Sequence, residues 1–120
     1  MQTDTLHEQQ TAAVIAENPV DIIITRVPRS DDGAGGYVDG SPVVLKPQTV
    51  RIVGSSRVGA SITRMTSDGQ VAVVDATLLG MPDLNIERDD RFESSGTKYQ
   101  VVTVNRTPRW RVSAELVTRG

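Results

Sequence analysis

The sequence has no cysteine, which excludes disulfides and thiolate metal sites. Its one histidine is His7, so any Ser-His-Asp or Cys-His arrangement would have to be built around that residue. Aromatic residues make up 3% of the chain and hydrophobic residues 38%. A thin core is therefore expected for the isolated subunit; contact with further copies could supply the missing burial, which composition alone does not show. Cationic charge is not in excess either: 13 Lys and Arg stand against 15 Asp and Glu, for a net charge of -2. An acidic chain lacks the overall basic footprint of a tight nucleic-acid binder. No apolar run approaches the ~20 residues of a membrane span, and the N-terminus is too polar for a signal peptide. These absences predict a soluble, unsecreted protein. Its 120 residues are enough for one domain with one core.

Chemistry-bearing patterns are sparse. His7 reads as a solvated residue of an N-terminal helix, and the chain has no Gly-x-Ser-x-Gly elbow. Asp31-Asp32 and Asp89-Asp90 have the composition of paired carboxylates for a metal or for acid–base work. Neighbours on a strand point to opposite faces, so both pairs are expected to solvate turns. The glycines of Asp31-Asp32-Gly33-Ala34-Gly35-Gly36 are followed by neither a Lys-Ser or Lys-Thr pair nor a helix, so a P-loop is excluded. Arg106, Arg109 and Arg111 around Trp110 suggest nucleic-acid stacking. Against that, Trp110 falls on an alternating apolar face and reads as core. No catalytic, cofactor or metal site is expected, and the chain does not read as an enzyme.

Two units are expected: a helix and linker over 1–19, then a β domain over 20–120 with long loops at 29–40 and 54–69. Thr3 to Glu17 is predicted helical, capped by Thr5 or Thr3 with Glu8 completing a capping box. A narrow apolar stripe runs along Leu6, Gln10, Ala13 and Ala16 or Val14. Asn18-Pro19 ends the helix, because proline disfavours helical geometry in the residue before it. Val20 to Val27 is rich in β-branched residues and reads as a strand. Arg29 to Gly40 looks too glycine-rich for regular structure. Pro42 to Leu45 and Gln48 to Val53 form a strand broken at Lys46-Pro47. Gln70 to Leu79 alternates with Ala72, Val74, Ala76 and Leu78 on one face. The C-terminal third, Asp89 to Thr118, carries Phe92, Tyr99 and Trp110 and reads as the core of the fold. Its hairpins turn at Ser94-Ser95-Gly96 and at Asn105-Arg106-Thr107-Pro108. In its last strand Trp110, Val112, Ala114 and Leu116 share one face. With one helix and about six short strands, the fold class is mainly β: a small antiparallel β-barrel with long loops.

One segment stands out by length: Gly54-Ser55-Ser56-Arg57-Val58-Gly59-Ala60-Ser61-Ile62-Thr63-Arg64-Met65-Thr66-Ser67-Asp68-Gly69. It is rich in small residues, lacks clean periodicity, and is mildly basic within an acidic protein. A compact domain rarely spends that length on a connection without a function for it, unless the segment is disordered.

The helix, Asn18-Pro19-Val20-Asp21-Ile22, the Gly-rich hairpin and Val73-Val74-Asp75-Ala76-Thr77-Leu78-Leu79-Gly80 form one set of features. Asp90-Arg91-Phe92, Gly96, Tyr99-Gln100-Val101-Val102 and Trp110-Arg111-Val112-Ser113-Ala114-Glu115 complete it. Together they resemble the head-closure, or stopper, proteins of long-tailed bacteriophages, the head-to-tail connector subunits of the neck. The resemblance covers nearly the whole chain, and its motifs also fit other neck and tail β-barrels. It implies a β-barrel that forms a homo-oligomeric ring in the virion neck after assembly in the host cytoplasm. The implied partners are the portal–adaptor complex above and a tail terminator or tail tube below, with packaged double-stranded DNA held in the channel without sequence specificity. No membrane partner is implied. In that family a long loop between the second and third barrel strands closes the channel. By order along this chain its position is Gly54 to Gly69, where Arg57 and Arg64 would meet phosphates, and removing Gly59 to Thr66 should leave the fold intact. An adaptor or tail terminator, or a small nucleic-acid-binding barrel with exposed aromatics such as Tyr37, stands as the alternative.

Overall fold

The computed structural model describes residues 2–31, 33, 35–54, 63–66 and 69–119. One helix, α1 (Gln2–Glu17), precedes strands β1 (Val20–Ile22), β2 (Thr25–Arg26), β3 (Arg29–Asp31), β4 (Tyr37–Asp39), β5 (Val43–Val44) and β6 (Gln48–Gly54). Then follow β7 (Thr63–Met65), β8 (Val71–Val73), β9 (Ala76–Gly80), β10 (Arg91–Ser94), β11 (Thr97–Asn105) and β12 (Val112–Arg119). Among the described residues, eight strands form one antiparallel sheet in the order β1-β6-β9-β12-β11-β10-β2-β5. Two further hairpins, β3–β4 and β7–β8, stand outside it. The protein is thus mainly β with one helix, as expected, but its main sheet has eight strands rather than about six.

The curl of that sheet has a cause in residues 20–26. Ile22 and Ile24 are both fully buried, while Ile23 between them is half exposed. The alternation is that of one strand, yet its hydrogen-bonding partners change midway. Val20–Ile22 pairs with β6, and Thr25 pairs with Arg91 of β10. One run of β-branched residues thus joins both sides of the sheet, which brings the inner faces of all its long strands together. Ile22, Ile24, Val50, Leu78, Ile86, Val101, Val112 and Leu116 fill the interior at 0–1% exposure. Each such side chain contributes about 1.5–3 kcal/mol by leaving water.

The C-terminal meander forms as its sequence predicts. β10 and β11 pair from Arg91↔Gln100 to Ser94↔Thr97, and β11 pairs with β12. Ser95 and Gly96 both take positive φ (51° and 78°) in the tight turn, the conformation a two-residue hairpin of matching twist requires. A register shift between Val101 and Thr103 leaves both Val101 and Val102 buried. Val101 enters the interior cluster, and Val102 joins Val74 and Val117 in a second, smaller one on the outer face.

Several local expectations are corrected. The helix already includes Gln2, so Thr3 and Thr5 lie within it rather than capping it. Its expected apolar stripe faces outward: Leu6, Gln10, Ala13, Val14 and Ala16 are all exposed. The helix rests instead on Thr11 and Ile15, at 7% and 5% exposure, because it touches β6 and β9 through that side. Residues 29–40 hold the β3–β4 ladder; Gly33 and Gly35, both at positive φ, stand between strands that pair normally. The 70–79 run is two strands. At Val74-Asp75 the chain steps from β8 into the main sheet, held by Asp75 N–H donating to Leu116 O and by Thr118 N–H and Oγ1 donating to Asp75 Oδ2. The last strand begins at Val112, so Trp110 sits in the preceding turn. No helix among the described residues is long and apolar enough to cross a membrane.

Candidate functional site

Of the described residues between Gly54 and Ala76, none belongs to the main sheet. The described part of this excursion is the β7–β8 hairpin, paired Thr63↔Val73, Arg64↔Ala72 and Met65↔Val71. Directly opposed residues of an antiparallel pair share a face. Ala72 packs against Val74, Val102 and Val117, so the Arg64/Ala72 face looks onto the outside of the main sheet. The other face presents Met65, Val71 and Val73 to solvent at 62%, 70% and 50% exposure. Thr66 anchors the turn: its N–H and Oγ1 donate to Gln70 O, and Oγ1 accepts from Gln70 N–H. Gly69, at φ 84°, donates its N–H to Thr66 O, and the left-handed region there favours glycine.

Arg64 ties this hairpin to β12. Its Nε and Nη2 reach Glu115 Oε1 and Oε2 at 2.7 and 3.2 Å, a fork-to-carboxylate arrangement of the stronger kind. Thr103 Oγ1 donates to the same Glu115 Oε1 at 2.7 Å. A polar cavity of about 290 Å³ lies among Arg64, Thr77, Thr103, Asn105 and Glu115. Arg88 adds a second tie, donating from Nη2 to Met65 O at 2.8 Å. Arg64, expected to meet phosphates, has its charge matched by Glu115. Of the remaining candidates, Gly54 ends β6, Thr63 and Met65 belong to β7, and Thr66 and Gly69 form the turn. Ser55, Ser56, Arg57, Val58, Gly59, Ala60, Ser61, Ile62, Ser67 and Asp68 lie outside the described residues.

The other chemical patterns resolve into structural roles. Asp90 does not solvate a turn: at 1% exposure it accepts from Arg26 Nε and Nη2 at 2.9 and 2.8 Å and from Glu87 N–H at 2.7 Å. The Asp90 hydrogen bond raises the Arg26 pKa above its ordinary value, against the lowering effect of burial. Arg26 also donates to Asn85 Oδ1, pinning the segment between β9 and β10. Asp89 takes φ 74°, donates its N–H to Val101 O and accepts from Gln100 Nε2. The Asp31 side chain and Asp32 lie outside what is described, as does the side chain of Tyr37.

His7 is not a solvated helix residue, and Trp110 is not a barrel-core residue. Their rings stack on each other with centroids 4.2 Å apart and planes 19° from parallel, so each supplies the other's cover. Arg106 turns inward, donating to Leu84 O and Ile86 O. Arg106 is therefore engaged with the segment between β9 and β10 rather than with Trp110. Helix α1 is secured at its other end by Arg51, which donates to Val14 O and pairs with Glu17 Oε2, both at 3.0 Å. A cation beside C-terminal carbonyls suits the helix dipole. Glu115, Arg26 and Arg51 are the residues whose contacts sequence reasoning passed over, and Asp90 it read only as a turn residue. Each has the spacing of an ordinary polar-face residue, and only strand pairing reveals its partner. Among the described residues, no three His, Asp or Glu side chains converge to hold a metal.

No family model matches the chain, and no curated protein does. Among solved structures, a chain of the native gene transfer agent (GTA) virion particle is similar at 15% identity and a TM-score of 0.46, covering 83% of this chain and 94% of that one. A likeness at that level is too low to transfer a residue or a role.

Proposed function

We propose that the protein is a structural, non-catalytic component of a phage-type virion neck, one subunit of a ring that closes the DNA channel and offers a docking surface to the tail. The observation that carries this reading is the distribution of uncovered apolar surface. Leu6 and Val14 on α1, Val43 and Val44 on the edge strand β5, and Met65, Val71 and Val73 on the β7–β8 hairpin are each 39–70% exposed. Apolar surface left bare on three separate elements suits a subunit that is completed by neighbours. The sequence resemblance to head-closure proteins supplies the particular setting, and the thin core accords with burial gained on assembly. A portal–adaptor complex above and a tail below are the proposed partners, with double-stranded DNA passing through the ring.

In this reading the Gly54–Gly69 segment is the gate, and the β7–β8 hairpin is its hinge and anchor. Arg64 works from outside the channel by holding the hairpin to Glu115, leaving Arg57 as the cation able to meet DNA phosphates. The experiment follows from that division. Deleting 59–66 would remove β7 and the buried Thr66, so a loss of function would report a damaged fold. Deleting Arg57 to Ser61 spares both. The shortened protein should fold and join portal–adaptor complexes while filled heads leak their DNA. Normal retention of DNA by such virions would sink the gating role. Solution mass and negative-stain imaging of the protein, alone and with portal–adaptor complexes, test the ring: a monomer that ignores those complexes would overturn the connector reading.

A further inference from the structure

We infer that the outer face of β10–β12 is a phosphate-contacting surface, which lays Arg91, Lys98 and Arg119 against the backbone of the double-stranded DNA in the proposed channel. This inference rests on the neck reading and specifies which side of the subunit the DNA meets.

The face follows from register. Phe92 and Tyr99 oppose each other and join the interior cluster. Their neighbours Arg91, Glu93 and Lys98 therefore point outward, and Arg119, opposed to Lys98, points with them. Arg91, Glu93 and Lys98 are exposed, and none of the three forms a salt bridge among the described residues. Arg119 donates from Nε to the neutral carboxamide of Gln100. Three cations against one carboxylate leave an excess of two positive charges on this face, within a chain whose net charge is -2. Elsewhere Arg26, Arg51 and Arg64 each hold a carboxylate of their own subunit. Here the positive charge is left for an anion from outside. An open cavity of about 320 Å³ among Ile23, Arg91, Glu93, Lys98 and Arg119 gives such an anion room. A second, of about 290 Å³, shares Lys98 and Arg119 with it.

Position selects DNA as that anion. Val117 lies two residues before Arg119, on the same face of β12 and opposed to Gln100. It packs in the outer cluster that Ala72 of the β7–β8 hairpin covers. The hairpin that anchors the proposed gate and the cationic face thus adjoin on one side of the sheet. A subunit that turns its gate toward the channel turns these cations with it. Arg64, beneath the hairpin, is matched by Glu115, so Arg91, Lys98 and Arg119 add to Arg57 the fixed positive charge that Arg64 does not supply. The strength of the contact also fits a conduit. An excess of two charges on an exposed face makes a salt-sensitive, sequence-blind attraction. Repeated around a ring, such a contact holds a duplex and still lets it slide.

Binding of the full chain to a labelled duplex of mixed sequence, followed by fluorescence anisotropy as salt is raised, tests the surface. Arg91→Gln combined with Lys98→Gln, both at exposed positions, should weaken binding and flatten the slope of log K against log salt by about two. Glu93→Gln should tighten binding, an outcome that damage to the fold would not produce. No binding to the duplex, slopes unchanged by the paired substitution, or a preference for polyglutamate over the duplex would each overturn the inference. The last would mark a docking face for an acidic protein instead. The absence of cysteine allows a second test in place, with Lys98→Cys carrying a photoreactive aryl azide, assembled into filled particles and illuminated. Cross-links to DNA are expected. Cross-links to protein alone, in particles that hold the subunit in the neck, would overturn this surface and leave the neck reading standing. A subunit that never enters particles and ignores portal–adaptor complexes would overturn both.

Discussion

Asp90 is the polar side chain whose loss the fold should feel most. It is 1% exposed and holds Arg26, itself 21% exposed, through two hydrogen bonds. Removing one partner of such a pair leaves a charge without compensation, so Asp90→Ala should cost about 3 kcal/mol, read as a lower denaturant midpoint at unchanged slope. Arg26→Met combined with Asp90→Ala should cost less than the two single changes summed, with a coupling of about 0.5–3 kcal/mol. An additive cycle would show that the pair contributes nothing jointly. Gly80 is a second sensitive position, for a steric reason. A Cβ there would stand 2.5 Å from Leu84 Cδ2 and 3.3 Å from Leu84 Cβ, and Leu84 is itself buried. Gly80→Ala should destabilise by about 1–3 kcal/mol through overpacking, and a truncating Leu84→Ala beside it should recover no stability beyond that overpacking.

At the scale of elements, α1 and the β7–β8 hairpin are the parts least committed to the core. Ile15, Thr11, the His7–Trp110 stack and Arg51 hold the helix. Trp110→Ala removes a ring pair worth about 0.5–1.5 kcal/mol beyond its buried area. It should speed amide exchange through α1 while the β11–β12 ladder stays protected, and Trp110→Phe should restore most of that protection. Equal loss in both elements would mean that the tryptophan supports the sheet rather than the helix. For the hairpin, Glu115→Gln weakens the Arg64 fork. Because that pair is 44% and 22% exposed, its contribution should be about 1 kcal/mol or less, seen as faster exchange in β7 and β8 that salt also induces in the unmodified protein.

At the scale of the molecule, a sheet that meets itself through one chain segment makes residues 20–26 the keystone of the fold. Ile22 and Ile24 face the same interior although β1, which ends at Ile22, and β2, which follows Ile24, pair with opposite sides of the sheet. Ile24→Ala should therefore cost about 2–5 kcal/mol and loosen β6 and β10 together, measurable as simultaneous loss of exchange protection in both. Protection lost in only one would show that the two sides of the sheet are independent. Leu6, Val14, Val43, Val44, Met65, Val71 and Val73 lie on α1, the edge strand β5 and the β7–β8 hairpin, away from the interior of this curled sheet.

Period-two alternation and turn chemistry are local properties, and they determined β9, the β10–β12 meander and the stop of α1 at Asn18-Pro19 without help from the rest of the chain. The inward sets of Ala76 and Leu78, and of Val112, Ala114 and Leu116, were legible because within one strand each side chain's face depends only on its neighbours two residues away. Ala72 and Val74, expected on the face of Ala76 and Leu78, pack instead on the outer face, because the chain steps between strands at Val74-Asp75. Partnership is not local. The partner change at 23–24, the burial of Asp90 on Arg26, the inward turn of Arg106 and the stacking of His7 on Trp110 join residues distant in sequence. Helix α1 shows the same division. Its extent was legible in the sequence, but the narrow apolar stripe left open whether it lies on its own domain, and in the structure that stripe faces outward. Which side of a weakly amphipathic helix is buried depends on what the sheet offers it, here Arg51 for its last turn and Trp110 for its only aromatic side chain. Only the tertiary structure could decide that, because the decisive contacts lie 37 and 103 residues away along the chain.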